Sequence, residues 1–233
     1  MSIELKTEER AVSAAWSVPS INDGNFIIRR CHIGDEASLS LVGKATFLET
    51  YAENTDASDL MDFLEAEHTV ERYRSWLKSD LVRIWVAQTT LGGSAIGYAV
   101  ALSASKVGLD QQMEIKRLYL LHRFHRRGLG HLLLKEILTT ARKVGTAGLF
   151  LKVQEANQSA VTFYRTHGFS VVGPEPFRVG ATDYAALVMG LTLRRPVSKS
   201  FRATSDQAVA DCADKPGTPT WCRLPAFRGP RQR

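Results

Sequence analysis

The sequence predicts an α/β (α+β) domain in which a mixed sheet carries helices between its strands, and three observations support that expectation. Short apolar runs and amphipathic stretches alternate from about residue 26 to residue 193 without an internal repeat, the pattern of strands interleaved with helices. Two strand-like runs, 83–88 and 95–101, flank Leu91-Gly92-Gly93-Ser94, which reads as a hairpin turn. Residues 118–134 pass from an apolar run through His125-Arg126-Arg127-Gly128-Leu129-Gly130-His131 into a leucine-rich helical pattern. That is the order strand, glycine turn, helix.

Taken in order, residues 26–31 form a first strand, and Asp35 is placed to cap a helix ending near Tyr51. A second helix is expected over 69–78. The hairpin follows, and residues 113–121 make the strand that enters the glycine turn. From Leu129 the apolar positions Leu132, Leu133, Ile137, Ala141 and Val144 recur at helical spacing, Arg142 and Lys143 suit the negative end, and Gly145 suits the cap. A strand at 149–153, a helix at 159–167 closed by Gly168, and strands at 169–172 and 184–193 complete the domain.

At 233 residues and 44% hydrophobic content the chain can bury a core without metals or disulfides. Cys31, Cys212 and Cys222 are too few and too scattered for a zinc site or a disulfide framework. The segment 1–6 lacks the basic-then-apolar order of a signal peptide, and no apolar run approaches the ~20 residues of a membrane helix. A cytoplasmic protein without membrane contact is therefore expected. Of the formal charge of +6, residues 195–233 supply most, with eight Lys/Arg against Asp206, Asp211 and Asp214, and with five prolines among them. This division gives an N-terminal extension at 1–20, a folded domain at 21–194, and a basic, proline-rich, disordered tail at 195–233. The tail reads as a solvated extension; a nucleic-acid-binding role for it is the less favoured alternative.

The glycine turn offers free backbone amides, the positive end of a helix dipole and two arginines, which together favour a phosphate-bearing ligand. It is not a Walker loop, because His131-Leu132 stands where Lys-Ser/Thr is needed. A dinucleotide fingerprint would need Gly or Ala where Leu133 stands.

Three segments in this order resemble the GNAT N-acetyltransferases: Arg117-Leu118-Tyr119-Leu120, the glycine turn, and Asn157-Gln158-Ser159-Ala160-Val161-Thr162-Phe163-Tyr164-Arg165-Thr166-His167-Gly168-Phe169. The resemblance covers roughly residues 26–194. It implies a mixed, mostly antiparallel central sheet flanked by helices on both faces, and acetyl-CoA as co-substrate with no metal. On it, the pyrophosphate would rest on amides from about Arg126 to His131, and the pantetheine arm along Leu118, Tyr119 and Leu120. Asn157, Ala160, Phe163 and Tyr164 would meet it from the other side. His125 departs from the family pattern, which places Gln or Arg there.

The resemblance further implies direct attack by a primary amine in a ternary complex. An amine of pKa ~10.4 is neutral in about one molecule in 2,500 at pH 7, a deficit of ~4.6 kcal/mol, so a base is useful. Glu114 stands where family members often carry a carboxylate working through water, and alternation puts Glu114, Lys116 and Leu118 on one face. Tyr164 matches the general acid for the leaving thiolate; because a phenol is the weaker acid by ~2 kcal/mol, its pKa should be lowered in the complex or it should donate only a hydrogen bond. Seven acids and no Lys or Arg lie between Glu49 and Glu67. They read either as a solvated acidic loop or as an attractor for a small cationic amine or polyamine. Phe177-Arg178-Val179-Gly180 with Asp183 faintly resembles bacterial spermidine and spermine acetyltransferases. A protein N-terminus or lysine is the alternative acceptor, a CoA-binding sensor without turnover is the alternative of another class, and a homodimer is compatible with either.

Overall fold

The computed structural model describes residues 24–103 and 112–193. The expected extension 1–20 and tail 195–233 lie outside the described residues. The first half of the domain comprises β1 (Phe26–Arg30), α1 (Glu36–Tyr51), α2 (Ala57–Glu67), α3 (Val70–Leu77), β2 (Val82–Thr89) and β3 (Ala95–Ser103). The second half comprises β4 (Gln112–Leu120), a 3-10 turn (His122–Phe124), α4 (Leu129–Lys143), β5 (Gly148–Gln154), α5 (Gln158–Thr166), β6 (Ser170–Pro174), β7 (Phe177–Val179), β8 (Thr182–Tyr184) and β9 (Ala186–Thr192). Seven strands form one sheet in the order β1-β2-β3-β4-β5-β9-β6, and β7 and β8 form a separate hairpin. Every pairing is antiparallel except β4 with β5, which are joined by the crossover helix α4.

Local chemistry sets the helix starts. Thr69 accepts from the Arg72 amide at 3.0 Å and starts α3, Asp56 accepts from the Ser58 and Asp59 amides at the head of α2, and Asn157 accepts from the Ala160 amide at 3.0 Å at the head of α5. Asp35 does not cap α1 as expected. Its carboxylate is drawn into a bidentate pair with Arg29 at 2.7 and 2.9 Å and also accepts from the His32 amide, so a charged partner outcompetes the helix amides. Arg29 in turn holds the Asp35 carboxyl below the ordinary carboxylate range.

Helix α2 occupies the stretch that reads as an acidic loop in the sequence, and the unexpected hairpin β7–β8 precedes the last strand, taking Tyr184 from its expected start so that β9 begins at Ala186. The sheet is covered on both faces. Leu129, Leu133, Leu134, Ile137 and Leu138 of α4, with Val161 and Tyr164 of α5, pack on one side against Trp85, Ala99, Met113 and Ile115. Leu39 and Val42 of α1 and Tyr73 of α3 pack on the other against Ile84, Val86, Tyr98 and Val100.

Candidate functional site

Strands β4 and β5 pair only from Gln112/Gly148 to Ile115/Leu151, although β4 continues to Leu120 and β5 to Gln154. Beyond Ile115 the inner edge of β4 therefore has no ladder partner, and a split opens in the middle of the sheet. A ligand entering it can take the place of the missing strand. On its other edge β4 stays paired with β3, but the register steps from Val100/Arg117 to Ala101/Ile115 and leaves Lys116 as a bulge.

The bulge corrects the alternation expected for Glu114, Lys116 and Leu118. Met113 and Ile115 face the α4 side, as do Leu118 and Leu120, whereas Arg117 and Tyr119 face the α1–α3 side. Glu114 therefore shares a face with Arg117 and Tyr119, and all three line a cleft of about 490 Å³. Lys116 lies 3.3 Å from the Glu114 carboxylate.

The glycine turn lies directly beyond the end of β4. Arg126 adopts a left-handed conformation at φ 58, and Gly128, at φ 74, takes the N-cap position of α4 without a side chain to satisfy the first amides. Gly130 brings the three motif segments together: a Cβ there would lie 3.6 Å from both Leu120 and Phe163. Arg127 is held over the Phe26 and Phe124 rings at 5.7 and 5.8 Å, keeping its charge beside the turn. His125 turns back, its Nε2 2.9 Å from the Leu120 carbonyl, and so ties the turn to the strand end.

Helices α4 and α5 are joined by a histidine pair. His167 Nδ1 donates to the Phe163 carbonyl at 2.7 Å, which leaves its Nε2 to accept from His131 Nδ1 at 2.9 Å. Burial, with His167 and Lys135 nearby, lowers the His131 pKa. Leu129 is buried in the core, and Ala160 and Phe163 pack against it. Asn157 has its carbonyl oxygen committed to the Ala160 amide and the Ser159 hydroxyl, while its NH₂ makes no hydrogen bond among the described residues.

Tyr164 is 7% exposed, packed between Phe163 and Phe169, and its hydroxyl has no hydrogen-bond partner among the described residues. Burial, reinforced by Tyr119, pushes its phenol far above the ordinary range rather than below it. Without ligand the phenol keeps its proton, and as a weaker acid than usual it is suited to donating a hydrogen bond rather than to full transfer. It does not line the cleft, but Tyr119 does, and Tyr119 accepts or donates a 3.2 Å hydrogen bond with Tyr51 on the cleft wall.

The seven acids between Glu49 and Glu67 do not act as one block. Glu49 accepts from the His122 amide, Asp56 caps α2, and Glu67 holds Arg72 and Arg117 at 2.7 and 3.2 Å. Arg117 is 6% exposed and also donates to the Glu67 carbonyl and the Tyr73 hydroxyl. Burial opposes its charge, but Tyr98, Tyr73, Tyr119 and Glu67 outweigh it. Asp59 accepts from the Ala181 amide at 2.8 Å and the Thr182 hydroxyl at 2.5 Å. Of the seven, only Asp62 and Glu67 line the cleft.

Sequence reading missed Asp59 as the anchor of β7–β8, and missed Phe47, Tyr51, Phe63 and Phe177 as cleft residues. A signal for the anchor was present in Gly180, which has φ 58 and sits so close to Asp59 that a Cβ would overlap it at 2.2 Å. Arg178 and Asp183, read as a faint polyamine signature, form an exposed cross-strand ion pair at 2.9 Å.

Among the described residues no helix is long and apolar enough to cross a membrane. Comparison with known proteins agrees with this architecture. A Mycobacterium tuberculosis protein described as an uncharacterized N-acetyltransferase is 29% identical over 147 residues, covering 63% of this chain and 90% of its own. Among solved structures, the PaiA N-acetyltransferase of Thermoplasma acidophilum in complex with coenzyme A superposes with a TM-score of 0.60 at 20% identity, over 72% of this chain and 99% of that one. The ribosomal-protein-S18-alanine N-acetyltransferase of Escherichia coli gives 0.55 at 17% identity, over 76% and 99%. Residues 45–169, more than half of the 233, match the acetyltransferase (GNAT) family. With the split sheet and the glycine turn in that order, the chain belongs to the GNAT family and is an acyltransferase.

Proposed function

We propose that the chain transfers an acetyl group from acetyl-CoA to a small primary amine by direct attack in a ternary complex. The observation that carries this reading is the split: β4 loses its ladder partner after Ile115, and the glycine turn with the uncapped head of α4 lies at its far end. A linear ligand with amides along its length and phosphates at its tail fits that pair of features. Peptide groups of Leu118, Tyr119 and Leu120 would hold the arm. Amides and side chains from His125 to His131 would hold the pyrophosphate, with Arg126 and Arg127 supplying charge. Asn157, Ala160 and Phe163 would close the opposite side, and coenzyme A in the Thermoplasma relative is consistent with this.

When bound, acetyl-CoA supplies an activated thioester: a C–N bond forms, the C–S bond breaks, the amine gives up a proton and the thiolate takes one. Tyr164, held neutral by burial, donates a hydrogen bond to the departing sulfur, and the thiolate takes its proton from solvent. Glu114, with part of its surface open to the cleft, takes up the amine proton directly or through water.

Isothermal titration of the full chain with CoA tests the donor half, and absence of heat at millimolar ligand in a folded sample would sink it. Thiol release from acetyl-CoA with a panel of amines tests the transfer. Glu114→Gln is expected to lower kcat by about 10²-fold, and an unchanged kcat removes Glu114 as the base.

A further inference from the structure

The acceptor cleft is walled by aromatic rings that come from four separate elements. Phe47 of α1 and Phe63 of α2 stack at 4.4 Å, Phe177 of β7 meets Phe63 edge-on at 5.7 Å, and Tyr119 of β4 meets Phe47 edge-on at 6.5 Å. Phe63, Phe177 and Tyr119 are only partly buried, so their surfaces face the cleft rather than a closed core. Both pairing geometries that a ligand ring would extend, stacked and edge-to-face, are already present in the wall.

The charges around the cleft do not suit a polycation. Its acids are Asp62, Glu67 and Glu114, and its bases are Lys116, Arg117, Lys152 and Arg178. Glu67 is spent on Arg72 and Arg117, and Glu114 lies against Lys116. Asp62 is exposed at the rim and pairs with no cation among the described residues. A single ammonium needs one carboxylate, whereas successive ammonium groups need unpaired acids in series; Lys152 and Arg178 are themselves paired with Glu175 and Asp183, so among the described lining residues Asp62 alone offers an uncommitted acid. An ammonium attached to a flat ring is also favoured over these aromatic faces.

Resting on the acetyltransferase reading above, we propose that the acceptor is a monoamine with an aromatic body, its ring seated among Phe63, Phe177 and Tyr119 and its amine directed at Glu114. The polyamine resemblance of the segment from Phe177 to Asp183 is thereby reinterpreted. Phe177 is a ligand-facing wall, and Arg178 with Asp183 is a clasp across the hairpin.

The test is thiol release by the full chain with acetyl-CoA and phenethylamine, n-butylamine, spermidine or a short peptide with a free N-terminus. Phenethylamine is expected to exceed each of the others in kcat/KM by roughly tenfold or more, the scale of discrimination a shaped apolar pocket gives. Phe63→Leu and Phe177→Leu, which keep apolar volume, should each reduce the ratio of phenethylamine to n-butylamine by about tenfold. Equal or better turnover of spermidine, n-butylamine or the peptide overturns the proposal, as does an unchanged ratio in both variants. CoA binding without turnover of any amine overturns it too, while loss of CoA binding itself would instead strike the donor reading beneath it.

Discussion

Replacing Asp59 offers a test of how the cleft is held together. The carboxylate is 7% exposed and accepts two hydrogen bonds from the β7–β8 hairpin, from the Ala181 amide and the Thr182 hydroxyl. Hydrogen bonds to a charged group contribute about 1.5–3 kcal/mol each, so the pair is nominally worth ~3–6 kcal/mol. Both donors lie on exposed residues and rehydrate when released, which reduces the expected cost of Asp59→Ala to about 2–3 kcal/mol. Asp59→Asn keeps one acceptor and can donate to Thr182 Oγ1, so about 1 kcal/mol is expected. Because the hairpin carries Phe177 and Arg178 into the cleft wall, the alanine variant should raise KM for the amine several-fold while leaving KM for acetyl-CoA near its original value. Amide hydrogen exchange at Ala181 reads the anchor directly and should accelerate by about 30-fold or more if 2 kcal/mol is lost. Unchanged exchange at Ala181 together with an unchanged amine KM would refute the argument.

Three other perturbations bear on different parts of the molecule. Tyr164→Phe should lower kcat by roughly 10²-fold with CoA affinity retained, and an equal kcat for the two proteins would remove the phenol from the chemistry. Gly97→Ala would place a Cβ 2.3 Å from a Leu120 methyl and 2.7 Å from the Tyr119 carbonyl; the end of β4 must move, costing about 1–3 kcal/mol, and CoA titration should register weaker binding. His68 is fully buried, with its pKa lowered to about 2 by burial and by Arg117 and Lys44. A depressed folded-state pKa means that this contribution is complete above the unfolded value near pH 6.5 and is lost as pH falls below it, by about 1.4 kcal/mol per pH unit. Denaturant unfolding at pH 7, 6 and 5 should therefore reveal a decline that His68→Asn flattens, whereas identical slopes for the two proteins would contradict it.

Much of the region around the glycine turn is legible in the sequence. Strand, glycine turn and helix have strong local signals, because Gly128 and Gly145 sit at left-handed positions that few other residues tolerate, and the leucines of α4 repeat at helical spacing. The acceptor half is not. Helix α2 starts at a good cap, Asp56, but its outward face is so acidic that composition masked the few apolar contacts, Leu60 above all, that fix it. Asp59 gave no local sign of its role, since its partners lie about 120 residues away. The bulge at Lys116 was likewise invisible, because it is defined by the register of the neighbouring strand and not by any feature of β4 itself. Asp35 illustrates the reverse error: a residue suited to capping was claimed by an arginine six residues earlier.

The bulge at Lys116 also bears on how this chain can change over evolution. One extra residue lets a single strand keep Met113 and Ile115 on the same face as Leu118 and Leu120 while Glu114 joins Arg117 and Tyr119 on the other. Point substitutions at Glu114 or Tyr119 can therefore reshape acceptor choice without disturbing the residues that pack beside the glycine turn. Deleting Lys116 would remove the extra residue and leave plain alternation along β4, with Glu114, Arg117 and Tyr119 still on one face and Met113, Ile115, Leu118 and Leu120 on the other. The bulge therefore lets β4 carry one residue more than its neighbour without exchanging the two faces, and a relative lacking that residue can keep the same division of side chains between the helix layers.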